Sequence, residues 1–200
     1  MGLRDILTGR HTVKGPASDK LFAITTAYIT LQSEHQIDPT GAAAIVFQSL
    51  ATSDFESTLR DTEEVVKATC GDSGTTVATE DDTYGYRWMV LRNGAGTPSV
   101  EDLAVGINAV SSSIEEAGHG ERLLCAVFAF ADAQKRRIYF IYNYKRGYWY
   151  PFVPVAGGAG SSSSNERSTE RELQLKAQMS SELPIEPELE RWFPLWGIPI

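Results

Sequence analysis

From Leu123 to Phe130 the chain is apolar at every position. A strand with one covered face alternates apolar and polar residues, so an unbroken run of this length predicts a strand buried on both faces. The polar segment Ala131–Gln134 then reads as a turn, and RRIYFIYNY after it is rich in the β-branched and aromatic residues that suit a pleated sheet. Lys145, Arg146 and Gly147 form a second turn signal, with Gly147 free to adopt positive φ. Tyr148, Trp149, Tyr150 and Phe152 make a short third strand. Pro151 within it has no N–H for a ladder, which predicts an edge position or an early end. Arg122–Val155 is therefore a three-strand meander, its first strand central to a sheet and the rest of the chain organised around it.

The flanking pattern alternates helical and strand periods. Ser18 is a candidate N-cap for a helix bearing Leu21, Ile24, Tyr28 and Leu31, ending near Ser33 before a polar loop, EHQIDPTG. Ala42–Gln48 reads as a strand. Ser53 with Glu56 three residues on is a capping-box signature, starting a helix with Phe55, Leu59 and Val66 inward and its acidic residues mostly outward. Gly71–Gly85 is turn-rich, with one short strand around Thr76–Thr79. Tyr86–Leu91 is a strand placing Tyr86, Trp88 and Val90 on one face and Met89 and Leu91 on the other, and Asn93–Pro98 is a loop. Ser99 and Asp102 cap a helix whose stripe Val100, Leu103, Ile107, Val110, Ile114 recurs at 3, 4, 3 and 4 residues. Gly118 or Gly120 ends it.

This order divides the chain into a tail over 1–17, a core over 18–155, a Gly/Ser linker over 156–165 and a helical, Trp/Pro-rich segment over 166–200. In the first tail Leu3, Ile6 and Leu7 share a face opposite Arg4, Asp5 and Arg10, a pattern too short to be helical alone. It is either a frayed end or an element that orders on a membrane surface or partner. In the last segment Pro187 suits the start of a short helix through Arg191. Trp192, Phe193, Leu195 and Trp196 then either fold back on the domain or anchor another protein. Grouped strands without regular βαβ alternation predict an α+β two-layer sandwich, its sheet antiparallel or mixed, with helices packed on it and a helical C-terminal tail.

Composition adds limits. The apolar and charged fractions, 42% and 22%, are those of a soluble globular protein. A formal charge of −8 argues against nucleic-acid binding. The basic residues at 135–137 and at 145–146 sit at opposite ends of one strand, roughly 25 Å apart at ~3.3 Å per residue. Two cysteines, Cys70 and Cys125, without close spacing suit a reducing, cytoplasmic setting and no disulfide framework. No apolar run approaches the ~20 residues of a membrane span. Gly71-Asp72-Ser73-Gly74 resembles the nucleophile loop of trypsin-like proteases, but only seventy residues precede it and two predicted helices lie among them. His11, His35 and His119 are scattered over predicted loops and tails with no metal-ligand spacing. With no P-loop and no GxGxxG pattern, no cofactor is expected, and nothing assembles a nucleophile, base and orienter.

Three stretches carry a family resemblance together: MGLRDILTGR at the start; DDTYGYRW, then INAVSSSIEEAGHGERLLCAVFAF and YKRGYWYPFVP; and ELPIEPELERWFPLWGIP at the close. In that order the chain resembles the PspA-associated protein B family along nearly its whole length. The resemblance implies a non-enzymatic accessory of the phage-shock, or envelope-stress, response, acting by protein–protein interaction. Its implied partners are PspA, a coiled-coil protein that coats damaged membrane, and a membrane zinc metalloprotease, with recruitment to the inner face of the membrane. No catalytic residues carry over. The shared motifs nominate Lys145, Arg146, Tyr148, Tyr150 and Phe152 in the hairpin, and Arg191, Trp192, Phe193 and Trp196 in the tail, as partner-binding residues. Coverage of the core is an equally good account of each. The alternatives are a small-molecule-binding or enzymatic domain with a pocket under the meander, and a chaperone-like homodimer.

Overall fold

The computed structural model describes residues 18–155 and 165–200. The amphipathic pattern at 1–17 and the linker residues 156–164 lie outside the described residues. The core is an antiparallel sheet of six strands, β1 (Ile37–Gln48), β2 (Thr76–Asp81), β3 (Tyr86–Arg92), β4 (Leu123–Asp132), β5 (Arg137–Asn143) and β6 (Tyr148–Phe152), in the order β2-β3-β1-β4-β5-β6. The meander is as expected: β4 is interior, Gly147 turns at φ 68°, and β6 with its Pro151 is the last strand of the sheet. The helices α1 (Ser18–Phe22), α2 (Ile24–His35), α3 (Ser53–Cys70) and α4 (Val100–Glu116) pack on one face. All five stripe residues of α4 are buried. The Ser99 hydroxyl accepts from the Asp102 amide, and His119 N–H closes back onto the Ile114 carbonyl at 2.9 Å while Gly118 takes φ 84°. Gly106 lets α4 sit close to the sheet: a Cβ there would lie 2.3 Å from a Leu91 methyl carbon and 3.2 Å from Cys70 Sγ.

Four sequence expectations need correction. The first helix is not continuous to Ser33; it breaks at Ala23 and runs on to His35, closing with Gln36 at φ 54°. The EHQIDPTG segment is not a loop throughout, because β1 starts at Ile37 and pairs Ile37 with Asp132 and Pro39 with Phe130. Pairing with β3 begins only at Ala42, so the missing N–H of Pro39 faces no partner strand. Gly41 (φ 78°) absorbs the register shift between Pro39 and Ala43. The cap of α3 is Thr52, whose hydroxyl accepts from Phe55 N–H at 3.3 Å, one residue before the capping box read at Ser53. Pro187 starts no α-helix; a single 3-10 turn, Leu189–Arg191, follows it.

The C-terminal segment decides how the second face of the sheet is covered. Helix α5 (Thr169–Met179) buries Leu175 and Met179, which join Leu183 in the helix-side core. Its Glu172 carboxylate is buried yet satisfied, accepting from Val153 N–H at 2.8 Å and from Arg167 Nε–H at 2.8 Å. Pro184–Glu186 then lies along the outer edge of β6: Trp149 N–H donates to Pro184 O at 2.9 Å and Glu186 N–H to Trp149 O at 2.8 Å. The remainder crosses the face formed by Ala44, Val46, Val90, Val127, Ile141 and Phe152, burying Trp192 against it. Its far end is held by Arg92, which donates to Pro199 O at 2.7 Å, and by the Tyr139 hydroxyl, which donates to Ile200 O at 2.9 Å.

Candidate functional site

Cross-strand pairing sets up one row across the sheet's second face, its three central residues Trp88, Val46 and Cys125 buried. Glu80 lies opposite Trp88, Trp88 opposite Val46, Val46 opposite Cys125, and Cys125 opposite Asn143. Directly paired residues share a face, so these five form a line across five strands, roughly 19 Å long at ~4.8 Å per strand spacing. Above that line lies a cleft of about 820 Å³. One wall is the β2–β3 hairpin with Tyr84, Tyr86 and Trp88; the other is the tail from Phe193 to Trp196; Val46, Leu124, Cys125 and Tyr150 make the floor. Three of the rings stand well out into solvent, Tyr84 at 64%, Tyr86 at 41% and Phe193 at 57% exposure, on facing walls.

The hairpin wall is stiffened by Asp82. Its carboxylate accepts from the Tyr84 and Tyr86 amides at 2.8 and 2.9 Å and from the Trp88 indole N–H at 2.9 Å. Burial pushes its pKa up, but those donors outweigh it and hold the carboxyl below its ordinary value. Asn143 Oδ1 is occupied by the amides of Lys145 and Arg146, and this places Lys145 at the opposite end of the cleft. The floor thiol, Cys125, is pushed up to about 12 by burial and stays protonated at neutral pH. Ser73, of the Gly-Asp-Ser-Gly stretch, sits in the 3-10 turn after α3 and donates to Cys70 O at 2.8 Å. Among the described residues no group of three or more His, Cys, Asp or Glu is arranged to hold a metal ion, and no helix is long and apolar enough to cross a membrane.

Most of the nine nominated residues fasten the tail to the sheet. Arg146 meets Glu186 through two hydrogen bonds of 2.9 and 3.0 Å and Glu188 through a third of 3.0 Å. Arg191 pairs with Glu188 at 2.8 Å. Tyr150 stacks on Trp192 and donates its hydroxyl to Phe193 O at 3.1 Å; burial holds that hydroxyl well above the usual tyrosine range. Trp192 donates its indole N–H to Glu186 O at 3.0 Å. Phe152 is fully buried between Tyr139 and the edge of Trp196. Tyr148 is half-buried under Lys20 Nζ, 5.0 Å from its ring centre. Of the nine, Lys145, Tyr150, Phe193 and Trp196 line the cleft. The aromatic segment thus folds back on the sheet and keeps one ring, Phe193, mostly in solvent.

Sequence reasoning missed the other wall. Tyr84, Tyr86 and Trp88 belong to DDTYGYRW, which carried the family resemblance but was read as a turn and a strand. The available signal was an aromatic at every second position flanking a tight turn, with acidic residues just before it.

A family model, PspA associated protein B, matches residues 1–200, the whole chain. No curated protein and no solved structure matches it.

Proposed function

Because the chain belongs to the PspA associated protein B family, we propose that it is a non-enzymatic adaptor that associates with PspA by protein–protein contact through the aromatic cleft. The observation that carries this is the placement of Tyr84, Tyr86 and Phe193, all substantially exposed, on facing walls of one cleft. Exposed aromatics clustered around a preformed concavity are the usual composition of an interaction hot spot. A role in the envelope-stress response, action from the inner face of the membrane and a membrane metalloprotease as a second partner belong to the same proposal.

The test is capture of purified PspA by the full chain, with Tyr84→Ala and Phe193→Ala as variants. Both side chains are more than half exposed, so the fold survives their loss. The expected outcome is a drop in PspA affinity of about fivefold or more for each, a typical cost of truncating a hot-spot aromatic. PspA binding unchanged in both variants, or no capture by the intact chain, overturns the proposal. A second reading, small-molecule binding, is favoured by the volume of the cleft, which falls within the ~300–1,000 Å³ of ordinary ligand pockets. Asp82, Trp88, Asn143 and Tyr150 are already engaged within the chain, so this reading ranks second.

A further inference from the structure

We infer that the cleft takes an extended, proline-rich segment of a partner protein, about six residues long, with a basic residue at one end and an acidic residue at the other. The inference rests on the cleft being a docking site and adds the chemistry of what docks. Six of its lining residues are aromatic: Tyr84, Tyr86, Phe193 and Trp196 offer accessible rings, while Trp88 and Tyr150 are buried. Grooves that receive amphipathic helices are chiefly aliphatic, whereas flat ring-lined grooves suit polyproline II segments, whose pyrrolidine rings stack on aromatic faces. A polyproline segment also brings little conformational entropy to lose and exposes carbonyls that Tyr hydroxyls can serve.

Length and charge fix the rest. At ~3.1 Å per residue a polyproline segment covers the roughly 19 Å from Glu80 to Asn143 in about six residues. At the β2 end the Asp82 carboxylate lines the cleft, and the exposed Glu80, outside the lining, pairs with Trp88 on the same face of the sheet. At the β5 end the exposed Lys145 stands beyond Asn143. The neighbouring Arg146 is neutralised by Glu186 and Glu188, so Lys145 gives that end its sign. The cleft is therefore negative at one end and positive at the other. Polyproline II is close to symmetric in direction, so the charges select the ends and either chain direction fits.

The probes are three synthetic peptides with one Pro/Leu core of six residues: one with arginine at one end and glutamate at the other, one with arginine at both, and one with glutamate at both. A helical amphipathic peptide of matched composition is the control. Binding is read by isothermal titration and by the fluorescence of the cleft tryptophans. The mixed-charge peptide is expected to bind best, with each mismatched end weakening it about two- to fivefold, as exposed ion pairs do. Lys145→Glu is expected to reverse the preference toward the doubly basic peptide, a change that a merely structural role of Lys145 would not produce. Tyr84→Ala is expected to weaken every proline-rich peptide. Tighter binding of the helical control, or no preference among the three peptides, overturns the inference. If Tyr84→Ala abolishes PspA capture while no proline-rich peptide competes for it, this inference falls and the adaptor reading stands; if neither PspA nor any peptide responds to Tyr84→Ala, both fall.

Discussion

At the N-terminus of α3, Thr52 has extended backbone angles (φ −124°, ψ 146°) and its hydroxyl accepts from the Phe55 amide, satisfying one of the helix's four unpaired N–H groups. Ser53 is already the first helical residue. Replacing Thr52 by alanine is expected to cost about 1 kcal/mol, and the same change at Ser53 to stay within about 0.5 kcal/mol, both measured by urea unfolding. A larger cost at Ser53 than at Thr52 would return the cap to Ser53. The sequence permitted either reading, since Thr52 and Ser53 are both good caps and both precede acidic residues. Which one leaves the helix depends on where Phe55 must point, and Phe55 is fully buried against Phe47 and His119.

At the scale of elements, the crossing segment Pro184–Ile200 does for the second sheet face what the helices do for the first. Beyond the Pro184–Glu186 contact with β6 and the Leu189–Arg191 turn it lacks the hydrogen bonding of a helix or sheet, so its position depends on individual anchors. Trp192 is the largest of these, stacked on Tyr150, covered by Lys176 at 5.7 Å and bonded to Glu186 O. Trp192→Ala is expected to destabilise the protein by about 3–5 kcal/mol, as removal of a buried Trp does. Ending the chain before Pro184 is expected to cause self-association on size exclusion, because Val46, Val90, Val127, Ile141 and Phe152 would then face water. A monomeric truncated chain would show that the sheet does not need this cover. Loss of a partner upon such truncation would therefore say little about binding, and single substitutions at exposed rings are the better probe.

For the whole molecule, two sets of titrating groups bound the pH range of stability. Glu186 lies below its ordinary pKa, chiefly through its hydrogen bonds from Arg146; Asp132 and Asp82 lie below theirs although burial opposes it, because of donors from Arg136 and from Trp88 with nearby amides respectively. A carboxyl whose folded pKa is depressed contributes stability above its unfolded pKa, about 4, and loses it as pH falls through the folded value. On the alkaline side, burial pushes Tyr142 up to about 12 and holds Tyr144 and Tyr150 well above the usual tyrosine range. A phenol with a raised folded pKa favours folding below its unfolded value of about 10, and that contribution is lost as pH rises through the folded one. Melting temperature is thus expected to be flat between about pH 5 and 9 and to fall on both sides, with Glu186→Gln lowering the plateau and weakening the acid limb. A melting temperature that rises toward pH 3 would contradict these assignments.

What the sequence by itself determined was what the strongest local periods carry. The unbroken run of β4, the alternation of β3 and the 3-4-3-4 stripe of α4 report burial on both faces, on alternate faces or along one stripe, and each element formed where its period placed it. Membership of the family was also legible, because the motifs of the meander and tail stand together in order. Tertiary structure alone decided what depends on residues far apart. Whether Pro39 and Gly41 make a loop or a bulged strand turns on β4, some ninety residues on. Whether the tail's aromatics pack or project turns on the six-strand face beneath them. The cleft has no local signature at all: its walls are a hairpin and a tail more than a hundred residues apart, and only the strand order, with β3 beside β1 and β1 beside β4, brings Trp88 and Trp196 to opposite walls of one cleft.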